Sequence, residues 1–190
     1  MNDNRQQKID NIAGHIKAII ELLGEDPNRE GLVRTPVRAA KALLDNTCGY
    51  EQDADGILRS AIFTHPGSQM VVVKDIEFYS LCEHHVLPFF GTISIGYIPR
   101  GTIVGLSKLA RLVEVYARRL QVQERLTAEV CDQLWRSLDC DGVIVVCNAQ
   151  HLCMKMRGVE KQNASTTTIH YCGKFEDIKL REEFLSMLKQ

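Results

Sequence analysis

The chain has 190 residues, of which 45% are hydrophobic and 25% charged, as in an ordinary globular protein with a sizeable core. The formal net charge of −1 argues against a protein that holds duplex nucleic acid by bulk electrostatic attraction. No apolar run approaches the roughly 20 residues of a membrane helix, and the first residues lack the apolar stretch of a secretory signal. Seven cysteines without such a signal indicate thiols in a reducing compartment, so we expect a cytoplasmic protein with no membrane or nucleic-acid partner.

Residues 1–66 are predicted to form a helical arm. Apolar residues recur at steps of three and four over 5–23, which predicts an amphipathic helix ended by a glycine. Thr35 and Pro36 are typical of an N-cap and a first helical residue, and they predict a second helix that ends near Asn46. The residues that follow are polar and irregular, so we expect the arm to pack on a larger body or on another subunit.

Residues 67–190 are predicted to form the second domain, which carries the motifs described below. The hydrophobic pattern changes here to a period of two, as in half-buried strands. Ser107 and Thr127 are each predicted to cap a helix. Because the strands are joined by short turns, the order of elements favours an α+β fold with an antiparallel sheet and packed helices. Strands are expected at 70–79, 89–98, 103–106, 143–147 and 164–172, and a last helix at 179–189.

Two cysteine–histidine clusters predict a metal site. Cys82 and His85 stand three residues apart at a turn between two predicted strands, a spacing that lets a thiolate and an imidazole bind one ion. Cys153 follows an apolar strand further along the chain and offers a third, soft ligand. Three protein ligands leave a fourth position for water, which is the arrangement of a catalytic rather than a structural Zn²⁺ site.

Three roles compete for each neighbouring histidine. His84 and His151 adjoin the proposed ligands, and imidazoles that titrate near neutral pH suit general acid–base work. Either could instead orient a ligand, or serve as the fourth ligand of a structural zinc site. A disulfide between Cys82 and Cys153 is a further alternative, as an oxidation product.

A candidate anion site lies at the start of the helix predicted from Ser107. Ser107, Lys108 and Arg111 combine a helix N-terminus, a hydroxyl group and two cations, which together suit a phosphate group. Arg157 adds a cation four residues after Cys153. A basic first turn is also common on a solvated helix face, and that alternative stays open here.

Gln123 and Glu124 place a carboxamide and a carboxylate side by side after the basic helix. One carboxylate can accept two N–H bonds from the edge of a guanine, which presents N1–H and the N2 amine together. The alternative is a surface salt bridge between Glu124 and either Arg125 or Arg119.

Three segments resemble the zinc-dependent type of GTP cyclohydrolase I: SLCEHHVLPFFG, GLSKLARLVEVYARRLQVQERLT and HLCMKMRGV. They occur in this order, and the resemblance covers the chain from about Thr35 to its C-terminus. The segment 169–172 departs from the small and apolar residues expected there, which bears on local packing only. The resemblance implies a tunnelling fold, in which sheets of several subunits close into a barrel, with 67–190 as the catalytic domain. It also implies a homodecamer of two face-to-face pentamers with active sites at subunit interfaces.

The resemblance further implies roles for individual residues, with GTP as the substrate. Zn²⁺ bound at the cysteine–histidine cluster would activate water for attack on C8 of the guanine. His151 would protonate the purine nitrogen, and His84 would move protons as the imidazole ring opens and formate leaves. Rearrangement of the ribose would then give 7,8-dihydroneopterin triphosphate, the first step of folate and pterin biosynthesis. The implied ligands are Cys82, His85 and Cys153 for zinc, Glu124 with Gln123 for guanine, and Ser107, Lys108, Arg111, Arg157 and Arg38 for the ribose triphosphate.

Two other functions compete with this interpretation. One is another tunnelling-fold enzyme that acts on pterins or deazapurines, although such relatives lack this full set of motifs. The other is a non-enzymatic module for oligomerisation or nucleic-acid binding that zinc stabilises. Removal of the metal distinguishes them, because loss of a structural zinc should unfold the protein whereas loss of a catalytic zinc should abolish mainly activity.

Overall fold

A computed structural model of the protein describes residues 2–189, with side chains from residue 4 onward, in two compact units that divide between Cys48 and Gly49. The first unit is a pair of helices, α1 (Asn2–Leu22) and α2 (Thr35–Asn46). Ile9, Ala13 and Ala40 are buried where these helices meet. Both helices match the sequence prediction closely, because each has a regular apolar face and α2 has a proline in its first turn.

The second unit contains one five-stranded sheet, one small sheet and five helices among the described residues. Its helices are α3 (Ala54–Arg59), α4 (Leu106–Ala117), α5 (Gln123–Ser137), α6 (Leu152–Lys155) and α7 (Ile178–Leu188). Its strands are β1 (Ile62–Thr64), β2 (Val71–Cys82), β3 (Pro88–Pro99), β4 (Thr102–Val104), β5 (Leu120–Gln121), β6 (Cys140–His151) and β7 (Thr166–Gly173). Short 3-10 helices lie at Cys48–Glu51 and Lys174–Glu176.

The large sheet has the strand order β5-β2-β3-β6-β7. The strands from β2 to β7 pair antiparallel, whereas the short β5 runs parallel to the end of β2. The small sheet is the antiparallel pair of β1 with β4. This sheet and its packed helices confirm the predicted α+β class.

Helices cover both faces of the sheet, but unequally. On one face, α4 and α5 bury a continuous set of aliphatic side chains against the strands, among them Leu109, Leu112, Leu126 and Leu134, all fully buried. Full burial of such a side chain contributes about 1.5–3 kcal/mol, so this interface is the main source of stability. On the other face, Phe184 of α7 packs with a smaller cluster at one end of the sheet.

The three predicted helix caps were wrong. Thr35 is the first residue of α2, and its N-cap is Arg34. The N-cap of α4 is Gly105, so Ser107 lies inside the first turn. The helix α5 begins at Gln123, and the Thr127 hydroxyl donates to the Gln123 carbonyl at 2.8 Å. A threonine can satisfy its hydroxyl in this way within a helix, so a capping residue type alone does not fix where a helix begins.

Residues 49–66, which the sequence assigned to the arm, contain α3 and β1. Leu58 of α3 is fully buried in the large cluster of the second unit. The division of the chain into folding domains at residue 66 stays a prediction. Among residues 2–189, no helix is both long and apolar enough to span a bilayer.

We predict that Gly91→Ala destabilises the second unit. A Cβ atom at Gly91 would lie 1.9 Å from the Asn148 carbonyl oxygen of the neighbouring strand β6. Neither backbone can move without disturbing the pairing, so the cost should reach the upper end of the roughly 1–3 kcal/mol of overpacking mutations. The measurement is denaturant unfolding followed by circular dichroism.

The matched control is Gly14→Ala, because a Cβ atom at Gly14 within α1 meets nothing within 4 Å. That replacement should stabilise its helix by about 0.5–1 kcal/mol, as alanine does relative to glycine within helices. An unchanged unfolding midpoint for Gly91→Ala would contradict the prediction.

Candidate metal and catalytic site

The pairing of β3 with β6 brings the two cysteine–histidine clusters together. Phe89 of β3 stands opposite His151 of β6 in the register of this pair. The turn that carries His85 comes just before β3, and Cys153 comes just after β6, in α6. Because antiparallel partners place the start of one strand beside the end of the next, both clusters lie at the same end of these two strands.

Cys82, His85 and Cys153 form a group that could hold a metal ion. Their ligand atoms, two sulfurs and one imidazole nitrogen, all lie within 4.8 Å of one another. The Cys82 sulfur is 3.9 Å from Nδ1 of His85. Cys82 is buried, Cys153 is half-buried and His85 is exposed, so the group opens to solvent on one side. Soft sulfur and imidazole donors suit Zn²⁺.

The electrostatics of the two thiols favour a cation between them. Burial raises the pKa of Cys153, and the neighbouring Cys82 raises it further. The charge of Arg157 acts in the opposite direction and lowers the pKa of Cys153. Two thiolates this close need a positive charge to be stable, which a bound divalent cation supplies directly.

Backbone bonds hold the turn that carries the ligands. The Val86 amide donates to the Cys82 carbonyl at 2.8 Å, and the Cys82 amide donates to the Leu87 carbonyl at 2.8 Å. Val86 has a φ of 54°, which is unusual for a β-branched residue. Such a conformation costs about 1–3 kcal/mol and persists only where surrounding contacts impose it, so the turn is strained next to the ligands.

His84 lies on the open side of this group. Its Nδ1 atom is 3.8 Å from the Cys82 sulfur, and its ring meets the ring of His85 edge to face, with centroids 6.2 Å apart. The side chain is exposed. His84 is therefore adjacent to the ligands and accessible to a molecule that approaches from solvent.

His151 is held more tightly. Its ring stacks on Phe89 with centroids 4.8 Å apart and planes within 1° of parallel. Its Nε2 atom is 2.8 Å from Oε1 of Gln123. Burial lowers the pKa of His151, and the negative charge of Glu124 opposes that shift. A half-buried imidazole of this kind is suited to exchanging a proton near neutral pH.

Gln123 and Glu124 occupy the first turn of α5 but differ in exposure. Gln123 is 1% exposed, and its carboxamide contacts His151 and the backbone of two strands. Its predicted contact with guanine stays a prediction. Glu124 is exposed, and its negative charge acts to raise the pKa of His151.

The two arginines considered as salt-bridge partners of Glu124 bind other groups in the structure. The Arg125 guanidinium donates to Glu83. Arg119 donates to the backbone carbonyls of Val115 at 2.9 Å and Gly49 at 3.1 Å. Glu124 thus presents its carboxylate to solvent beside His151.

The predicted phosphate ligands lie on three different elements. Ser107, Lys108 and Arg111 share the first two turns of α4, where Ser107 and Arg111 are exposed and Lys108 is half-buried. Arg157 is exposed in the segment after α6 and acts on Cys153. Arg38 is exposed on α2 in the first unit, so its relation to the site stays a prediction.

Two residues that contact the site were not foreseen from the sequence. Phe89 provides the stacking surface for His151, and its place on a predicted strand was the available signal. Arg125 anchors the ligand turn through Glu83 and also donates to Oε1 of Gln121 at 2.9 Å. The hydrogen bond from Arg125 to Glu83 lowers the pKa of the Glu83 carboxyl below its ordinary value. No local pattern marks Arg125, because its partner Glu83 lies far away in the sequence.

Comparison with known proteins gives consistent matches over almost the whole chain. The family model described as GTP cyclohydrolase I matches residues 12–189. A protein of Parabacteroides distasonis named GTP cyclohydrolase 1 is 52% identical over 190 residues, which are 100% of this chain and 97% of that protein. A protein of the same name from Porphyromonas gingivalis is 53% identical over 97% of this chain and 95% of its own length. Another, from Dictyostelium discoideum, is 50% identical over 98% of this chain and 81% of its own length.

We predict that Arg125→Met weakens metal binding. Without Arg125, Glu83 is released and the ligand turn loses its side-chain anchor, so more conformational freedom is lost when the metal binds. We expect the dissociation constant for Zn²⁺ to rise about tenfold, the lower end of the effect of supporting residues on metal affinity. Competition with a chromophoric chelator measures it.

Arg136→Met is the control, since Arg136 lies on the same helix α5, is exposed and faces Asp132 at 3.6 Å. That variant should bind Zn²⁺ as the unaltered protein does. Equal affinity in both variants would show that the Glu83–Arg125 pair does not support the turn.

Proposed function

The chain belongs to the GTP cyclohydrolase I family, and we propose that Cys82, His85 and Cys153 hold the Zn²⁺ ion on which its activity depends. As a GTP cyclohydrolase it is a hydrolase that opens the imidazole ring of GTP, releases formate and forms 7,8-dihydroneopterin triphosphate in pterin biosynthesis. One observation carries the proposal for the site: two cysteine sulfurs and an imidazole nitrogen converge within 4.8 Å, beside two further histidines.

The donor set supports zinc as the metal. Two thiolates and one neutral imidazole match the ligands of catalytic zinc sites, in which a fourth position serves water or substrate. Held by Cys82, His85 and Cys153, Zn²⁺ would supply the positive charge that lowers the pKa of water to near neutral, which is the chemistry that attack on C8 of the guanine requires. The chain itself contributes the strained turn and the Glu83–Arg125 pair, which hold the ligands in place.

His151 and His84 are the proposed proton carriers. His151 is half-buried, and its lowered pKa allows it to give a proton to the purine nitrogen and to be neutral again afterwards. His84 is exposed at the open side of the site, where it can move protons between solvent and the opening ring. The proposal for both fails if formate release survives in His84→Ala and in His151→Ala.

Glu124 is the proposed ligand of the guanine edge, with Gln123 beside it. Its carboxylate is exposed and close enough to His151 for its charge to raise the pKa of that imidazole. A carboxylate in this place can accept the N1–H and N2 amine hydrogens together, which would hold the purine next to the proposed acid.

The triphosphate is assigned to the start of α4 and to cations on other elements. Ser107, Lys108 and Arg111 present a hydroxyl group and two charges where the partial positive charge of the helix N-terminus lies. Arg157 adds a charge that acts on Cys153, and the family resemblance alone proposes Arg38 as a further phosphate ligand. A polyanion of four negative charges needs several such partners to leave water.

We further propose assembly into a decamer of two pentamers that share active sites. Beyond the two-residue pairing with β5, the outer edge of β2 has no strand partner among residues 2–189, and neither has the outer edge of β7. Unpaired edges of this length are templates for pairing with another chain, as in a closed barrel of several subunits. The seven thiols are consistent with a cytoplasmic location.

The first experiment is incubation of the reduced, zinc-loaded protein with GTP, with and without a chelator. We expect formate and a pterin-like ultraviolet spectrum, both abolished by the chelator and restored by added Zn²⁺. Circular dichroism should change little on metal removal, because most of the buried core consists of aliphatic and aromatic side chains that are not metal ligands. If the fold melts with the metal and no formate is released, the zinc is structural and the catalytic proposal is wrong.

We predict that Glu124→Gln lowers the preference for GTP over inosine triphosphate, which lacks the N2 amine. A neutral amide forms a weaker bond to this amine than a carboxylate does, so kcat/KM for GTP should fall by about 10- to 100-fold, or about 1.4–2.8 kcal/mol. For inosine triphosphate, kcat/KM should fall by a smaller factor. Glu182→Gln on the exposed face of α7 is the control and should keep the preference. An unchanged preference in Glu124→Gln would place guanine recognition elsewhere.

A further inference from the structure

The carboxamide of Gln123 has a fixed orientation inside the protein. Its nitrogen lies 3.0 Å from the Cys147 carbonyl, 2.9 Å from the Thr166 carbonyl and 3.2 Å from Oγ1 of Thr168. The two carbonyl oxygens can only accept hydrogen bonds, so the atom that faces them must be the amide nitrogen and not the oxygen. The opposite orientation would place three oxygens in contact without a hydrogen between them.

This orientation determines which nitrogen of His151 carries a hydrogen. Oε1 of Gln123 faces Nε2 of His151 at 2.8 Å, and an amide oxygen can only accept. Nε2 must therefore be the donor, and in the neutral ring Nδ1 is left without a hydrogen. Phe89 fixes the plane of the same ring by stacking on it, and the bond to Gln123 fixes its rotation within that plane.

We propose that Gln123 is a positioning residue that holds His151 in the Nε2–H tautomer, so that Nδ1 is the nitrogen that exchanges a proton with the substrate. The inference rests on the proposed function, in which His151 protonates the purine. In that step the imidazolium has a hydrogen on each nitrogen, and the Nδ1 proton passes to the purine nitrogen. The neutral Nε2–H ring that remains keeps its bond to Gln123, and the reverse transfer returns the proton to Nδ1.

This role differs from a contact with guanine. Both hydrogens of the Gln123 amide are engaged by three acceptors, and its oxygen is engaged by His151. Gln123 is 1% exposed, whereas Glu124, the next residue, is exposed. Neighbouring residues in the first turn of α5 would then have separate tasks: Gln123 acts through His151, and Glu124 contacts the substrate.

The test is Gln123→Met in the zinc-loaded enzyme, which keeps the length of the side chain but removes the acceptor. We expect kcat for formate release to fall about 10- to 100-fold, part of the 10²–10⁴ that general acid–base catalysis contributes, with KM for GTP changed less than about threefold. A large rise in KM with unchanged kcat would overturn the proposal in favour of a direct contact with the substrate.

Thr168→Val is the matched control for packing. It disturbs the same pocket by removing one acceptor of the amide but leaves both carbonyls, so kcat should stay close to that of the unaltered enzyme. A double-mutant cycle gives the decisive result. If Gln123 acts through His151, Gln123→Met should cost almost nothing further in a His151→Ala background, whereas an equal loss in both backgrounds would overturn the proposal.

A second measurement does not depend on whether Gln123→Met folds. Solid-state NMR of the sedimented enzyme with ¹⁵N-labelled histidine, compared with His151→Ala, identifies the signals of the His151 ring. The neutral ring should show a hydrogen on Nε2 and none on Nδ1, and the opposite tautomer would overturn the inference. Full activity of His151→Ala would instead refute the proposed function, so the two failures are distinguishable.

Discussion

The register between β3 and β6 is the constraint on which the site depends. It sets Phe89 opposite His151, so the turn before β3 and the short helix after β6 present their cysteines and histidines at one place. A shift by a single residue would send every side chain of one strand to the opposite face of the sheet. The same pairing brings the backbone of Gly91 close to the Asn148 carbonyl, and no larger residue fits at position 91.

The short parallel pairing of β5 with the end of β2 adds the second half of the site. It places Gln121 beside Cys82, and the Glu83 amide donates to the Gln121 carbonyl at 2.9 Å. The helix α5 starts two residues later, so its first turn reaches His151 through Gln123. The fully buried aliphatic core beneath α4 and α5 makes this placement rigid. The imidazole that is assigned to proton transfer is thus held by three elements at once.

The sequence predicted those parts of this arrangement that depend on short-range patterns. The alternation of apolar residues located the long strands to within a few residues, and the spacing of Cys82 and His85 marked the metal turn. The predicted caps at Ser107 and Thr127 were wrong, because neighbouring residues with good helix propensity extended both helices toward the N-terminus. The contacts of Gln123 with strands more than 20 residues away had no signal, since they depend on how α5 packs on β6 and β7.

The polar groups of the site divide by exposure in a way that matches their proposed tasks. Gln123 is buried and His151 is half-buried, and each has its partners inside the protein, so the geometry between them is set by the protein itself. Glu124, His84 and Arg111 are exposed, and their charges and lone pairs face solvent. A buried polar group without a partner is costly, whereas an exposed one is satisfied by water that a ligand can displace. Residues that must keep one orientation therefore belong in the interior, and residues that exchange water for substrate belong on the surface.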